Sequence, residues 1–150
     1  MSKIDVRLAD WNSDSQDIIH VRKEVFVKEQ NVPPELEQDG RDPELIHVLA
    51  RSGSEATGTA RMTRDGHIGR VAVLKAMRGK GVGVLMMKAL EEEARELKIP
   101  EVHLNAQLSA KGFYTALGYK EEGEIFEEAG ISHVHMRKKV SISPENIDSK

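Results

Sequence analysis

The sequence is 150 residues long, 39% hydrophobic and 31% charged, with a net charge of -3 and no cysteine. This length and composition predict a single folded domain and exclude a disordered chain, and the absence of cysteine excludes disulfide bonds and a thiol nucleophile. No apolar run approaches the ~18 residues of a membrane-spanning helix, and there is no clustered basic stripe, so we expect a cytoplasmic protein without membrane or nucleic-acid partners.

The first third of the chain predicts a strand, a helix and a loop. Residues 4–9 alternate apolar and polar side chains, as a half-buried strand does. A capping box that starts at Ser13, or an acidic cap at Asp14, predicts the start of a helix that runs to about Glu29. Residues 31–43 are polar and contain prolines, which predicts a long loop.

The middle third predicts three strands. Residues 45–51 and 57–64 indicate two strands joined by a hairpin turn at residues 52–55. Asp65-Gly66 marks another turn, and residues 67–74 form the next predicted strand, which leads into a glycine-rich stretch.

The last third begins with an amphipathic helix over residues 84–97, with the acidic run at residues 91–93 on its solvated face. Residues 102–106 predict a strand, and Ser109 is the expected cap of a short helix that ends before Gly118.

A final strand pair is predicted at residues 119–126 and 132–140, before a polar tail at residues 141–150. The complete element order predicts a mixed α/β fold with a central sheet of about six to seven strands and helices on both faces. We expect residues 1–140 to form the single domain.

The glycine-rich stretch Arg78-Gly79-Lys80-Gly81-Val82-Gly83 lies where a strand gives way to a helix. The first N–H groups of a helix are unpaired and carry partial positive charge, and glycine lets a phosphate approach the bare backbone. The stretch therefore predicts a pyrophosphate cradle, with Arg78 and Lys80 adding charge. A glycine-rich turn without a ligand is the alternative.

Two common phosphate motifs do not fit this stretch. A P-loop places Ser or Thr after the lysine, but Gly81 follows Lys80, and Val84 stands where the dinucleotide fingerprint has its third glycine. The remaining pattern, Arg-x-x-Gly-x-Gly with Arg78, Gly81 and Gly83, resembles the acetyl-coenzyme A signature of the GNAT superfamily of N-acetyltransferases.

The segment that follows the helix resembles a second GNAT hallmark. It has Asn105 at a strand end, then Phe113-Tyr114, then Gly118 with an aromatic residue after it. The family usually has Phe in the position of Tyr119. Residues 22–33 and 127–136 further resemble the ElaA/YjcF-like subgroup. This resemblance implies a GNAT-type, mostly antiparallel sheet.

The resemblance also implies the residues that bind acetyl-coenzyme A. The strand end would pair with the pantetheine arm, the loop amides would hold the pyrophosphate, and Asn105 would bond the pantetheine or order its surroundings. The implied binding residues are Val71, Ala72, Val73, Arg78, Gly79, Lys80, Gly81, Val82, Gly83, Val84 and Asn105.

Two residues are candidates for proton transfer. Tyr114 is the expected acid that protonates the departing thiolate, and Phe113 is expected only to pack. His133 is the expected base for the acceptor amine, with His47, or Glu29 through a water, as alternatives.

Other polar residues suggest weaker hypotheses. Arg22, Arg61 and Arg70 are candidates for binding an anionic acceptor. His133 and His135 are expected on opposite faces of one strand, and no metal site is expected.

The leading functional hypothesis is an N-acetyltransferase that moves an acetyl group from acetyl-coenzyme A to a primary amine by direct attack in a ternary complex. The acceptor is expected to be a small-molecule amine or an amine of a protein, and a homodimer is one option for the assembly. The alternative is a noncatalytic sensor that binds acyl-coenzyme A and acts on a partner.

Overall fold

A single seven-stranded sheet organises the chain, whose computed structural model describes residues 3–140. The strands lie in the order β1-β2-β3-β4-β5-β7-β6 and are antiparallel to their neighbours, except that β4 and β5 are parallel. They are β1 (Ile4–Ala9), β2 (Ile46–Ser52), β3 (Glu55–Met62), β4 (His67–Val73), β5 (Glu101–Gln107), β6 (Lys120–Glu128) and β7 (Ile131–Lys139). The predicted tail at residues 141–150 lies outside the described residues.

Helices cover both faces of the sheet, as predicted. The helices are α1 (Trp11–Arg22), which continues as a π-helix (Lys23–Glu29), α2 (Pro34–Glu37), α3 (Val82–Glu96) and α4 (Lys111–Ala116). Three short 3₁₀ turns lie at Asp42–Glu44, Lys75–Met77 and Leu108–Ala110. Within the described residues, no helix has the length and apolar character needed to cross a membrane.

Two predicted helix starts and one predicted loop were wrong. Helix α1 begins at Trp11 rather than after Ser13 or Asp14, because Asp10 is its cap residue, and the Asp10 N–H donates to the Asp14 carboxylate at 2.9 Å. Ser109 does not cap α4, because it lies inside a 3₁₀ turn that precedes the helix. The predicted loop at residues 31–43 contains α2, which starts with Pro34, a residue suited to the first helical turn.

The two faces of the sheet bury separate apolar clusters. The larger cluster packs α3 against strand residues such as Val102, Leu104 and Ala106 of β5. The smaller one packs α1 against the opposite face, where it meets Leu49 and Ala72. Because strand residues alternate in direction, the polar residues of β5 face the α1 side.

Glu91 is the clearest departure from the predicted helix pattern. It was expected on a solvated face, but it is only 4% exposed. The Tyr119 hydroxyl donates to its carboxylate at 2.7 Å, and the Lys138 ammonium lies 3.0 Å from the other oxygen. Burial, the Glu91 charge and this hydrogen bond raise the pKa of Tyr119, so the phenol stays a donor. The tyrosine that stands where the family usually has phenylalanine is therefore matched by a buried acceptor.

We predict that Glu91→Gln destabilises the fold by about 1–3 kcal/mol, because it leaves the Lys138 ammonium without its counter-charge. Glu92→Gln is the matched control. Its side chain is 64% exposed, and its ion-pair partner among residues 3–140 is Arg95 of the same helix, so the change should stay within about 0.5 kcal/mol. Urea unfolding of both variants measures the difference, and equal midpoints would contradict the prediction.

Candidate active site

The site is built around a gap between β4 and β5. These parallel strands pair only through His67 with His103 and Ile68 with Leu104. Beyond that point β4 contains a bulge, where two residues, Arg70 and Val71, oppose a single residue of β3. Arg70 adopts a positive φ of 49°, which is uncommon for a residue with a side chain. The two strands therefore separate and leave a wedge between them.

At the end of β4, the backbone N–H and C=O of Val73 point into this wedge. The Leu74 N–H donates to the Thr57 carbonyl of β3 at 2.9 Å. Backbone groups alternate in direction along a strand, so Ala72 pairs with β3 as well, while the N–H and C=O of Val73 point away from it. The Val73 carbonyl accepts a hydrogen bond from Arg78 Nε at 2.9 Å. The Val73 N–H thus takes no part in the ladder with β3 and faces the wedge.

A cleft of about 540 Å³ opens from the wedge toward the α1 side of the sheet. Four of the predicted site residues line it together: Val71, Asn105, Tyr114 and His133. The far wall is charged and includes Glu37, Asp39, Arg61 and Arg70. The glycine-rich stretch does not line this cleft and lies instead beyond the end of β4, around the start of α3.

The glycine-rich stretch has the geometry of an anion cradle. Gly79 and Gly81 have φ values of 78° and 87°, which residues with a side chain rarely adopt. Gly81 caps α3, and the first intrahelical bond is from the Leu85 N–H to the Gly81 carbonyl. The N–H groups of residues 82–84 precede that bond and have no partner within the helix. A Cβ atom added at Gly79 or Gly81 would meet no atom of residues 3–140 within 4 Å, so the cradle is open.

Gly83 has a different role from the other two glycines. A Cβ atom at this position would lie 3.0 Å from the Phe113 ring, so the glycine lets that ring pack on the first turn of α3. Phe113 therefore packs, as predicted, and Gly83 serves the packing in addition to any contact with phosphate.

Arg78 ties the cradle to the end of the π-helix. Its two terminal nitrogens each donate to one carboxylate oxygen of Glu29 at 2.6 Å. This bidentate pair lowers the pKa of Glu29. Both oxygens of Glu29 are therefore held and its basicity is reduced, which argues against Glu29 as the alternative base.

Tyr114 lies on α4 with its ring almost fully buried and contacts the edges of the Phe113 and Tyr119 rings. Burial alone raises its pKa. Tyr114 lines the cleft, and its phenol keeps its proton over a wide pH range.

His133 lies on β7 and lines the same cleft. Its Nδ1 is 2.6 Å from the Ile131 carbonyl oxygen, which can only accept, so Nδ1 carries the proton of the neutral ring. The lone pair is then on Nε2. The ring stacks on Phe126, with centroids 5.9 Å apart, which holds its orientation. The ring of His133 is therefore fixed, and its Nε2 makes no hydrogen bond to the residues that the structure describes.

The prediction that His133 and His135 lie on opposite faces was wrong. Residues two apart in a strand share a face, and in β7 the alternating Val134 and Met136 fill the core against α3 instead. His135 therefore lies on the cleft side of the sheet, where its Nδ1 is 2.8 Å from Asn105 Oδ1.

His47 is buried and stacks on Trp11, with its Nε2 2.9 Å from the Asp42 carbonyl oxygen. Burial lowers its pKa. It is not among the residues that line the cleft, which argues against His47 as the alternative base.

The three predicted acceptor-binding arginines are paired within the protein. Arg22 is 1% exposed and donates to Glu37 at 2.7 Å and Asp42 at 2.8 Å. Arg61 donates to Asp42 at 2.8 Å and forms a bidentate pair with Asp39, which lowers the pKa of that carboxyl.

Arg70 completes this network through the carbonyls of Leu36 and Glu37, at 3.1–3.3 Å. No sequence pattern indicates the acidic partners of these arginines, because they lie in a polar segment without periodicity. Arg61 and Arg70 contribute to the cleft wall, but their main contacts are internal.

Comparisons with known proteins agree with this geometry. The model of the family described as Acetyltransferase (GNAT) domain matches residues 11–140. The uncharacterized N-acetyltransferase YjcF of Bacillus subtilis is 42% identical over 127 residues, which cover 82% of this chain and 91% of YjcF. Protein ElaA of Escherichia coli is 34% identical over 131 residues, covering 82% of this chain and 86% of ElaA.

Solved structures give the same result. The crystal structure of Escherichia coli ElaA superposes with a TM-score of 0.79 at 30% identity, covering 91% of this chain and 99% of that one. An acyl-CoA N-acyltransferase from Pseudomonas aeruginosa superposes with a TM-score of 0.80 at 27% identity, with coverage of 91% and 99%. The chain therefore belongs to the GNAT family of acetyl-coenzyme A-dependent N-acetyltransferases, and within it to the ElaA/YjcF-like subgroup.

Proposed function

We propose that this protein transfers an acetyl group from acetyl-coenzyme A to a primary amine by direct attack, with both substrates bound at once. The observation that carries the proposal is the wedge between β4 and β5, which leads at one end to the open cradle at α3 and at the other to a cleft with Tyr114 and His133. Acetyl-coenzyme A fits this arrangement, because its diphosphate can lie at the cradle while its extended acyl-bearing arm lies in the wedge. The cytoplasmic location and a homodimer stay predictions.

The binding of acetyl-coenzyme A is assigned to two sets of backbone groups. The pyrophosphate would accept hydrogen bonds from the unpaired N–H groups of residues 82–84, next to Arg78 and the exposed Lys80. The pantetheine arm would lie along Val71 and Val73 in the wedge, where β5 no longer pairs with β4. Ala72 contributes only through the strand, because its backbone faces β3 and its side chain faces the α1 cluster.

The proposed chemistry needs two proton transfers. Acetyl-coenzyme A supplies a thioester, whose carbonyl carbon the neutral amine attacks and whose C–S bond then breaks. His133 Nε2 takes the proton that the amine loses, and the Tyr114 phenol gives its proton to the departing sulfur. The Val73 N–H, which faces the wedge, would donate to the carbonyl oxygen as negative charge develops there. Because acid and base share one cleft, this arrangement favours catalysis over a noncatalytic sensor.

We predict that Gly81→Asp weakens binding of acetyl-coenzyme A by about tenfold or more, because it places a negative charge at the cradle. Gly81→Asn is the matched control, since Asn has nearly the same shape, is neutral, and like Asp tolerates a positive φ. Calorimetric titration measures both affinities. Equal affinities for the two variants would contradict a pyrophosphate site at Gly81.

We predict that Tyr114→Phe lowers kcat by ~10²-fold or more while the affinity for acetyl-coenzyme A is unchanged. Because the pKa of Tyr114 is raised above its ordinary value of ~10, the deficit should stay constant up to about pH 10. Tyr119→Phe, which changes the neighbouring phenol outside the cleft, should keep its rate. A Tyr114→Phe enzyme with full kcat would exclude the acid role.

We predict that His133→Asn lowers the rate at neutral pH by ~10²-fold. Asparagine keeps an N–H donor near Ile131 but lacks the second ring nitrogen. The deficit should shrink as the pH approaches the pKa of the acceptor amine, because more of the amine is then neutral without help from a base. A deficit independent of pH would count against His133 as the base, and His20→Asn, on α1, should behave as wild type.

A further inference from the structure

We propose that His135 is a positioning residue that fixes the side chain of Asn105, so that the amide N–H groups of Asn105 face the cleft and donate to a carbonyl oxygen of the bound acetyl-pantetheine arm. The ligand named here rests on the proposed function. The orientation of the amide rests on contacts within the protein. The two parts of the inference are tested separately below.

The first step is the contact between the two residues. Asn105 of β5 and His135 of β7 are direct partners in the antiparallel ladder, so their side chains are neighbours on the same face. Asn105 Oδ1 and His135 Nδ1 are 2.8 Å apart. Two combinations satisfy this contact: the amide oxygen can accept from a protonated Nδ1, or the amide NH₂ can donate to an Nδ1 that holds the lone pair. The pair alone does not decide between them.

Arg137 decides which combination is present. Its Nη2 lies 3.3 Å from His135 Nε2, and a guanidinium nitrogen can only donate. The Glu122 carboxylate oxygen is 3.8 Å from Nε2, beyond hydrogen-bond distance, so Arg137 is the partner of this nitrogen. Nε2 therefore holds the lone pair, which leaves the proton on Nδ1 of the neutral ring. The reverse tautomer would place a donor against a donor at Arg137. Since Nδ1 donates, Asn105 must present its oxygen to His135.

Arg137 is itself held in place by two carboxylates. Its Nε donates to Glu122 at 2.8 Å and its Nη1 to Glu101 at 2.5 Å, and these bonds raise its pKa. The guanidinium therefore stays charged and cannot act as an acceptor. Hydrogen bonds thus connect the carboxylates to Arg137, Arg137 to His135, and His135 to Asn105. At each contact the donor on one side determines that the group on the other side accepts.

The histidine rings around His135 restrict its rotation. The His103 ring lies 5.4 Å from it, and the His67 ring lies 4.8 Å from that of His103, with the two Nδ1 atoms 3.2 Å apart. His67 and His103 also form the last pair but one before the β4–β5 wedge opens. The ring that orients Asn105 is thus packed at the base of the wedge, next to the proposed path of the acyl arm.

The consequence for the cleft is a defined polarity. Asn105 lines the cleft, and its oxygen is used by His135, so the group left for a ligand is the amide NH₂. Asn105 then recognises an acceptor, and the carbonyl oxygens of an acetyl-pantetheine arm are acceptors. Asn105 therefore acts as a donor to the ligand, because His135 occupies its oxygen.

The orientation is tested first, without any ligand. Long-range ¹H–¹⁵N correlation spectra of the ¹⁵N-labelled protein report which ring nitrogen of each histidine carries the proton. The spectra are recorded above the pH range in which histidine is charged, and the His135 signals are identified by their loss in His135→Asn. We expect the Nδ1–H tautomer for His135. The Nε2–H tautomer would overturn the proposed orientation.

The consequence for binding is tested with two nearly isosteric variants. His135→Asn places an N–H donor close to the position of Nδ1, so Asn105 keeps its orientation and acetyl-coenzyme A should bind within about threefold of wild type. His135→Asp places an acceptor there, so the Asn105 amide turns over and presents its oxygen to the ligand. We expect binding at least about tenfold weaker, because two acceptors then face each other.

The added charge of the aspartate is controlled by repeating the calorimetric titrations at high salt. Long-range repulsion of the phosphates is screened there, whereas a reversed amide is not. A loss that disappears at high salt, or equal affinities of two folded variants, would overturn the inference. If the wild-type protein itself fails to bind acetyl-coenzyme A, the proposed function fails, and the tautomer experiment still decides the orientation of Asn105.

Discussion

The site depends on the loss of backbone pairing between β4 and β5 after Ile68 and Leu104. A complete ladder would occupy the free N–H of Val73 and close the wedge. The bulge at Arg70 prevents this, at a conformational cost of about 1–2 kcal/mol for a positive φ. Hydrogen bonds from the Arg70 guanidinium to two carbonyls near α2 offset that cost. The contact that holds the bulge therefore also attaches α2 to the sheet.

A charge-balanced network extends this attachment across the α1 side of the cleft. Three arginines face three carboxylates, most of them buried: Arg22, Arg61, Arg70, Glu37, Asp39 and Asp42. Removing one member of such a network leaves a buried charge without a partner, which costs more than the intact pair contributes. The network thus gives the wall of the cleft a fixed shape. On the opposite side, Tyr114 and His133 are held by ring packing and by one hydrogen bond to a carbonyl.

The order of the strands and main helices was predicted correctly, because apolar periodicity and turn residues leave local patterns. Glycines at the junction of a strand and a helix likewise indicate an open turn, whereas the roles of Tyr114 and His133 stay predictions. Hydrophobic periodicity alone does not predict the wedge, since a missing ladder and a bulge have no periodicity. The burial of Glu91 depends on Tyr119 and Lys138, which are distant in sequence. The relation of His135 to Asn105 likewise requires knowing that β5 pairs with β7.

Residue-resolved amide exchange with and without acetyl-coenzyme A tests the central claim most directly. The account predicts that binding slows exchange at Val73 and at residues 82–84, whose N–H groups are free to bond the ligand. The Ala72 amide, already paired with β3, should change little and serves as an internal reference. Saturable binding that leaves Val73 and the start of α3 unchanged would contradict the account, because the ligand would then lie outside the wedge and the cradle.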